Sequence, residues 1–159
     1  HIDAGYDGSD YCALTFLSPT DSHDFTTAKK FQGVGFCYPG HVKTWMEEIV
    51  RYYKRYKARA IYLETNGDKG YLAEALKRRG LNVRTYYERE NKDIKISTNL
   101  YEYWNNIYWS PNTDDEYLNM IMDYRPGTKD HDDCPDSCAS LIREVCKPNK
   151  SRSRSLYEL

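Results

Sequence analysis

The sequence has no apolar run approaching the roughly 18 residues that a membrane span needs, and no secretory signal pattern at its start. Its five cysteines follow no disulfide framework, so a reducing, intracellular setting is expected. His131, Cys134 and Cys138 raise the question of zinc. There is no second Cys or His pair at ligand spacing, however, and both cysteines fit a core stripe, so structural zinc is not expected. Net charge is nearly absent too, at −1. Total charge therefore neither supports nor excludes nucleic acid as a partner; the placement of the basic residues decides that. No G-x-x-x-x-G-K-S/T motif occurs, which excludes an ATP site of that kind.

What is present suffices for one domain. A chain of 159 residues can bury a real core, and 40% hydrophobic with 30% charged residues fits a soluble globular protein. The chain starts at His1 directly in a strand-like stretch, which suggests a domain excised from a longer protein. Its basic residues cluster at Arg51, Lys54, Arg55, Lys57 and Arg59, at Lys77, Arg78 and Arg79, and from Lys147 to Arg154. Solvated helix faces and a loose tail account for each cluster. The 16 tyrosines are explained by strand propensity and half-buried helix faces, with stacking on bases as the alternative.

Periodicity gives the order of elements. Ile2, Ala4 and Tyr6 alternate with Asp3 and Gly5 as a strand, and Asp7-Gly8 is a favoured turn. Tyr11 to Leu17 reads as a second strand and Phe31 to Tyr38 as a third, whose Gly33 and Gly35 predict a bend or a close contact. These three form an antiparallel meander. Val42, Trp45, Met46, Ile49, Val50 and Tyr53 have helical spacing. Ala60 to Leu63 is a short, wholly apolar strand, as in a buried sheet centre. A helix with Tyr71, Leu72, Ala75 and Leu76 inward ends at Gly80, and Leu81 to Tyr87 is the next strand. This run implies adjacent parallel strands with helical crossovers. Asn91 to Ile107 reads as a helix with Leu100, Tyr101, Trp104 and Ile107 as its face. Another starts at Pro111-Asn112-Thr113 and runs through Tyr117, Met120, Ile121 and Tyr124. Residues 125–131 are a polar loop. The domain spans 1–147, and 148–159 form a basic tail expected to be disordered.

The last helix holds the densest chemistry. In Lys129-Asp130-His131-Asp132-Asp133-Cys134-Pro135-Asp136-Ser137-Cys138-Ala139-Ser140-Leu141, acids and a proline mark a helix start. Cys134, Cys138, Leu141, Ile142 and Val145 repeat at helical spacing. Asp133 and Asp136 neighbour each other on the first turn, and by angle they lie away from the apolar stripe, as solvated residues do. Two readings stand: the acids cap the helix, or a hard divalent cation neutralises them. Two acids upstream favour the cation. Asp3 lies on the solvent-poor side of its strand or at a sheet centre, where an unpaired acid is unfavourable. Glu64 closes a buried strand, at the edge where open α/β sheets place ligands. If those strands are neighbours, Asp3, Glu64 and Asp133 converge, with Asp132 and Asp136 in reserve. Carboxylates without Cys or paired His select Mg²⁺ or Mn²⁺. Such a cluster suits two cations that bracket a phosphodiester.

The order of Asp on the first strand, Glu ending the fourth and Asp in the last helix resembles the RNase H-like nuclease superfamily. Ile2-Asp3-Ala4-Gly5 with Ser9-Asp10-Tyr11, then Ile61-Tyr62-Leu63-Glu64-Thr65-Asn66, then His131 to Leu141 resemble the C-terminal nuclease domain of phage terminase large subunits. Glu90-Asn91-Lys92 with Lys95-Ile96 resembles a basic segment of that family. The resemblance implies an α/β fold with a mixed central sheet, the meander plus parallel strands, flanked by helices. It implies that Asp3, Glu64 and Asp133 hold the metals, assisted by Asp132 or Asp136; which of Asp132 and Asp133 is the main ligand stays open. It implies an endonuclease that cuts concatemeric viral DNA during packaging, in the host cell cytoplasm. Its partners would be double-stranded DNA, an N-terminal packaging ATPase on the same polypeptide, the portal and the small terminase subunit. Lys92, Lys95 and Lys129 are candidate phosphate contacts from their closeness to the motifs; ordinary surface lysines are the alternative. Rival readings are a Holliday-junction resolvase of the same fold and an inactive DNA-binding or portal-docking module.

Overall fold

Alternating apolar and polar residues at the start of the chain build three strands, and the computed structural model pairs them as expected. It describes residues 1–147, so the expected tail, with nearly all of the third basic cluster, lies outside the described residues. β1 (Ile2–Asp3), β2 (Tyr11–Pro19) and β3 (Phe31–Pro39) form an antiparallel meander, with Ile2 opposite Leu14, Asp3 opposite Ala13 and Leu14 opposite Phe36. A 3-10 turn over Val42–Trp45 leads into α1 (Met46–Arg55). Then follow β4 (Ile61–Glu64), α2 (Tyr71–Arg78) and β5 (Val83–Tyr86).

The six strands lie in the order β5-β4-β1-β2-β3, with β6 (Ile107–Trp109) beside β3. Two expectations are corrected here. The crossover from β3 does not place β4 next to it; β4 runs parallel between β1 and β5. A strand apolar on both faces belongs in the sheet interior, and the free edge of β1 offers that place. The helix expected to reach Ile107 is instead α3 (Lys92–Tyr103), closed by a 3-10 turn over Trp104–Asn106. Ile107, Tyr108 and Trp109, all strand-favouring, then pair parallel with Phe31, Gln32 and Gly33. The buried face of α3 is Lys95, Ile96, Asn99 and Leu100, whereas Tyr101 is exposed. Two polar residues in that stripe hide it from a hydrophobic pattern.

Helices cover both sheet faces. Ile2, Leu14, Phe36 and Leu63 pack on Met46 and Ile49 of α1 and on Leu72 and Leu76 of α2; Tyr71, expected inward, is instead exposed at the start of α2, where Ala73 takes a buried place. Ala13, Phe31 and Cys37 point the other way, onto Ile96 and Leu100, onto Tyr117 and Ile121 of α4 (Asp115–Asp123), and onto Cys134, Cys138 and Ile142 of α5 (Asp133–Cys146). Strand alternation therefore puts Asp3, the partner of Ala13, on the α5 side. Sandwiched between sheet, α3 and α4, α5 is buried from Cys134 through Ile142. That corrects the view of Asp136 as solvated: it is 6% exposed, because this helix is covered on more than one face. All five cysteines are free and buried. No helix among the described residues is long and apolar enough to cross a membrane.

The two glycines of β3 are close contacts, as the sequence predicts. A Cβ on Gly33 would lie 2.8–2.9 Å from Trp109 and Ile107 side chains, and one on Gly35 would overlap the Tyr117 ring. Gly35→Ala is expected to lower stability by about 1–3 kcal/mol through overpacking. Gly8→Ala, where a Cβ meets nothing within 4 Å, stays within about 0.5 kcal/mol of the parent. Equal denaturant midpoints for the two variants would contradict the packing described.

Candidate metal centre

β1 and β4 are parallel, so their carboxyl ends share one edge of the sheet. Ile2 stands opposite Leu63, and the next residues, Asp3 and Glu64, turn to the α5 side. The first turn of α5 arrives at the same edge. A cleft of about 390 Å³ results, lined by Asp3, Glu64, Asp132, Asp133 and Asp136. All five acids expected from the sequence thus line one cleft. Asp10 and Lys92 line it too.

Burial and like charge dominate the electrostatics. Burial, then Asp136 and Asp133, push the Asp3 carboxyl well above its ordinary range. Asp133 is pushed to about 6, by burial first and then by Asp132. Burial also raises Glu64. Asp3 Oδ2 is buried with no hydrogen-bond partner. Such an orphan is unfavourable unless a cation or proton meets it. The donors are carboxylate oxygens, the set that suits Mg²⁺ or Mn²⁺; on this ground the residues fit a hard divalent ion. The acids face a shared cleft but stand apart: among the described residues no three His, Cys, Asp or Glu side chains are drawn together tightly enough to hold an ion.

Two ammoniums compete for two of the acids. Lys92 Nζ lies 3.0 Å from Asp132 Oδ1 and 3.7 Å from Asp136 Oδ2. Lys95 Nζ lies 2.6 Å from Asp136 Oδ1 and 2.9 Å from Glu88 Oε2. Lys95 is only 1% exposed, which corrects its choice as a phosphate contact: its charge is spent inside the protein. The sequence hides this because a lysine in a polar-looking helix turn reads as surface. Lys92 is half exposed at the cleft, and Lys129 is exposed on the loop before α5. The capping alternative loses its main support, since the side chain of Asp132 at the N-cap makes no capping bond. Cys134 and Cys138 lie in the core as their spacing predicts. His131 packs edge-on against Tyr11, with Nδ1 3.9 Å from Asp133 Oδ2.

Three features escaped the sequence reading. Asp10 precedes β2, and its carboxylate accepts from Tyr6 N at 3.4 Å. Ser9-Asp10-Tyr11 belongs to the first motif, but Asp10 itself was given no place in the cleft; the antiparallel pairing of β1 and β2 was the available signal for it. Glu88 accepts both Arg143 guanidinium nitrogens, each at 2.9 Å. These, with the Lys95 ammonium, hold its carboxyl down to about 2 although burial opposes them. A buried polar chain also crosses beneath α5. Nδ1 and Nε2 of His1 lie 3.0 Å from Ser137 Oγ and 2.7 Å from Tyr86 Oη. Thr15 Oγ1 donates to Ser137 Oγ at 2.9 Å and lies 2.6 Å from Tyr117 Oη. Pairings between residues this distant in sequence leave no local pattern.

No family model matches the sequence, and no curated protein matches it. Solved structures do share its fold. Two are crystal structures of the large terminase nuclease from thermophilic phage G20c, one with bound zinc and one with bound magnesium. They have 19% and 18% identity, each with a TM-score of 0.59 over 90% of this chain and 78% of that one. The chain has the fold of a large terminase nuclease. That fold is RNase H-like, and its mixed sheet and helical layers are those described above. In the terminase-nuclease frame, the acid cleft occupies the edge where β1, β4 and the start of α5 meet.

The raised Asp133 carboxyl has a measurable consequence. Its folded-state pKa, about 6, exceeds the ordinary 3.8. The folded protein therefore binds more protons than the unfolded chain between these values, and stability falls as pH rises through that window. For metal-free protein, the thermal midpoint is expected to drop between about pH 4 and pH 6 more in the parent than in Asp133→Asn. Parallel curves would show that Asp133 is not so perturbed.

Proposed function

We propose that the chain is a metal-dependent endodeoxyribonuclease that cuts concatemeric viral DNA during genome packaging. The observation that carries this reading is the convergence of Asp3, Glu64 and Asp133 at one sheet edge, with an orphaned Asp3 oxygen aimed at no protein donor. The terminase-nuclease fold supports the choice of DNA packaging over other phosphodiester hydrolyses. Mg²⁺ or Mn²⁺ is the cofactor, two ions in the working centre. Double-stranded DNA is the substrate. A packaging ATPase on the same polypeptide, the portal and the small subunit are the partners, in the host cytoplasm.

The residues divide the work. Asp3, from the sheet centre, and Glu64, the last residue of the neighbouring strand β4, are fixed by hydrogen-bonded backbone. Asp133 comes from a buried helix, so all three ligands sit on rigid elements. When bound, the ions supply Lewis acidity to the attacking water and to the leaving oxygen. Asp133, with its carboxyl near 6, gives up its proton at neutral pH without a large penalty. Tyr6 lines the cleft. Burial and then Asp68 push its phenol above the ordinary range, so it keeps its proton and serves as a donor, not a nucleophile. Attack by water needs no covalent intermediate. Lys92 and Lys129 are the basic residues placed to meet backbone phosphates.

Plasmid cleavage tests the reading. Nicking and linearisation should require Mg²⁺ or Mn²⁺, fail in Ca²⁺ or EDTA, and fall by more than about 100-fold in Asp3→Asn and Asp133→Asn, beyond the loss of an outer-shell group. Activity that survives both substitutions would remove the acids from the mechanism. A strong preference for a four-way junction over linear duplex would move the reading to a junction resolvase. In Ca²⁺, Lys129→Ala should weaken duplex binding for every sequence and reduce the salt slope by about 1; an unchanged slope excludes Lys129 from the phosphate path.

A further inference from the structure

Asp136 differs from the other acids of the cleft in what its oxygens face. Oδ1 lies 2.6 Å from Lys95 Nζ and Oδ2 lies 3.7 Å from Lys92 Nζ. Asp3 Oδ2 and Asp136 Oδ1 are both buried without a well-aligned hydrogen bond, but an ammonium faces the Asp136 oxygen, whereas Asp3 forms no ion pair among the described residues. A divalent ion is drawn to free lone pairs and repelled by ammoniums. Asp136 is therefore a poor ligand where it stands. Lys95 cannot swing away to release it, since the lysine side chain is 2% exposed and Glu88 Oε2 holds it from the other side at 2.9 Å. Burial works against the Lys95 charge, but Asp136 and Glu88 outweigh it and keep the ammonium protonated.

The contacts continue toward the rest of the centre. Glu88 is clamped by Arg143, from the far end of α5. The side chain of Asn66, two residues beyond Glu64, donates to Glu88 O at 2.9 Å and accepts from Glu88 N at 2.8 Å. A single chain of contacts thus runs from α5 through Lys95 and Glu88 to the loop after Glu64. The geometry points to Lys95 as a positioning residue that keeps Asp136 as the tether of α5, not a metal ligand, and so sets where Asp133 stands relative to Glu64. This inference rests on the metal-nuclease reading. Lys95 touches neither substrate nor ion; it acts through Asp136 and Glu88.

The test is Mn²⁺ affinity, measured by the paramagnetic resonance of the free ion at neutral pH. Asp133→Asn should weaken binding at least tenfold. Asp136→Asn, whose amide oxygen can still accept from Lys95, should stay within about threefold of the parent. Lys95→Met releases a carboxylate toward the ion and should tighten binding about tenfold, as added ligand charge does. Removing both charges, in Lys95→Met with Asp136→Asn, should return affinity to within about threefold. A merely structural lysine predicts weaker binding in Lys95→Met, and that result overturns the proposal. So does Asp136→Asn matching the loss in Asp133→Asn. A measurement on the unaltered protein covers variants that fail to fold. The ¹⁵N signal of the buried Lys95 ammonium should persist through a Mg²⁺ titration, and its loss would mean that Asp136 has left for the ion. A parent protein that binds no Mn²⁺ overturns the metal reading itself and this inference with it.

Discussion

Carboxylates that cannot move apart are the constraint on which this structure depends. Asp3, Glu64 and Asp133 come from two strands and a helix, and burial raises each of them before any neighbour is counted. In water such groups would separate and hydrate. Here β1 is held between β2 and β4, and α5 is covered by sheet and helices, so separation is blocked. The surrounding chemistry is arranged to make the crowding tolerable. Two ammoniums sit on the helix side, beside Asp132 and Asp136, and among the described residues no ion pair reaches Asp3 or Glu64.

Close approach of α5 to the sheet makes the arrangement possible. The residues after Asp136 are Ser137, Cys138, Ala139 and Ser140, all small and all at most 1% exposed. Small side chains let the helix backbone settle near β1 and β2, and the hydroxyls then need partners. Ser137 finds them in His1 and Thr15. Polar groups in a core are unfavourable singly and stabilising when they satisfy one another. The chain from Tyr86 through His1, Ser137 and Thr15 to Tyr117 meets that condition across β5, β1, α5, β2 and α4. It ties α5, which carries Asp133 and Asp136, to the residue that precedes β1 and Asp3 without using any acid to do so.

The sequence was most legible where local chemistry and tertiary role agree. Alternation in the meander, the apolar run of β4 and the glycine contacts of β3 each follow from a few adjacent residues. Convergence of Asp3 and Glu64 followed from topology, and the register of Ile2 with Leu63 realises it. Legibility failed where a residue acts against its type. Lys95 is a charged residue serving as core, and no pattern of hydrophobicity finds it. Asp136 was placed by angle on a helix assumed to have one wet side, and α5 has little. β6 is three residues long, too short for a period, and it abuts a helical stretch whose apolar spacing runs into it.

The acids of the centre are far apart along the chain. Asp3 stands in the first strand and Asp133 opens the last helix, while Arg143, which clamps Glu88, comes later still. Contacts of such long range must offset the entropy of closing a long loop, which slows folding. A chain that stops before α5 has the sheet but lacks Asp133, Asp136 and the Arg143 clamp, so the acid cleft closes only once the last helix is present.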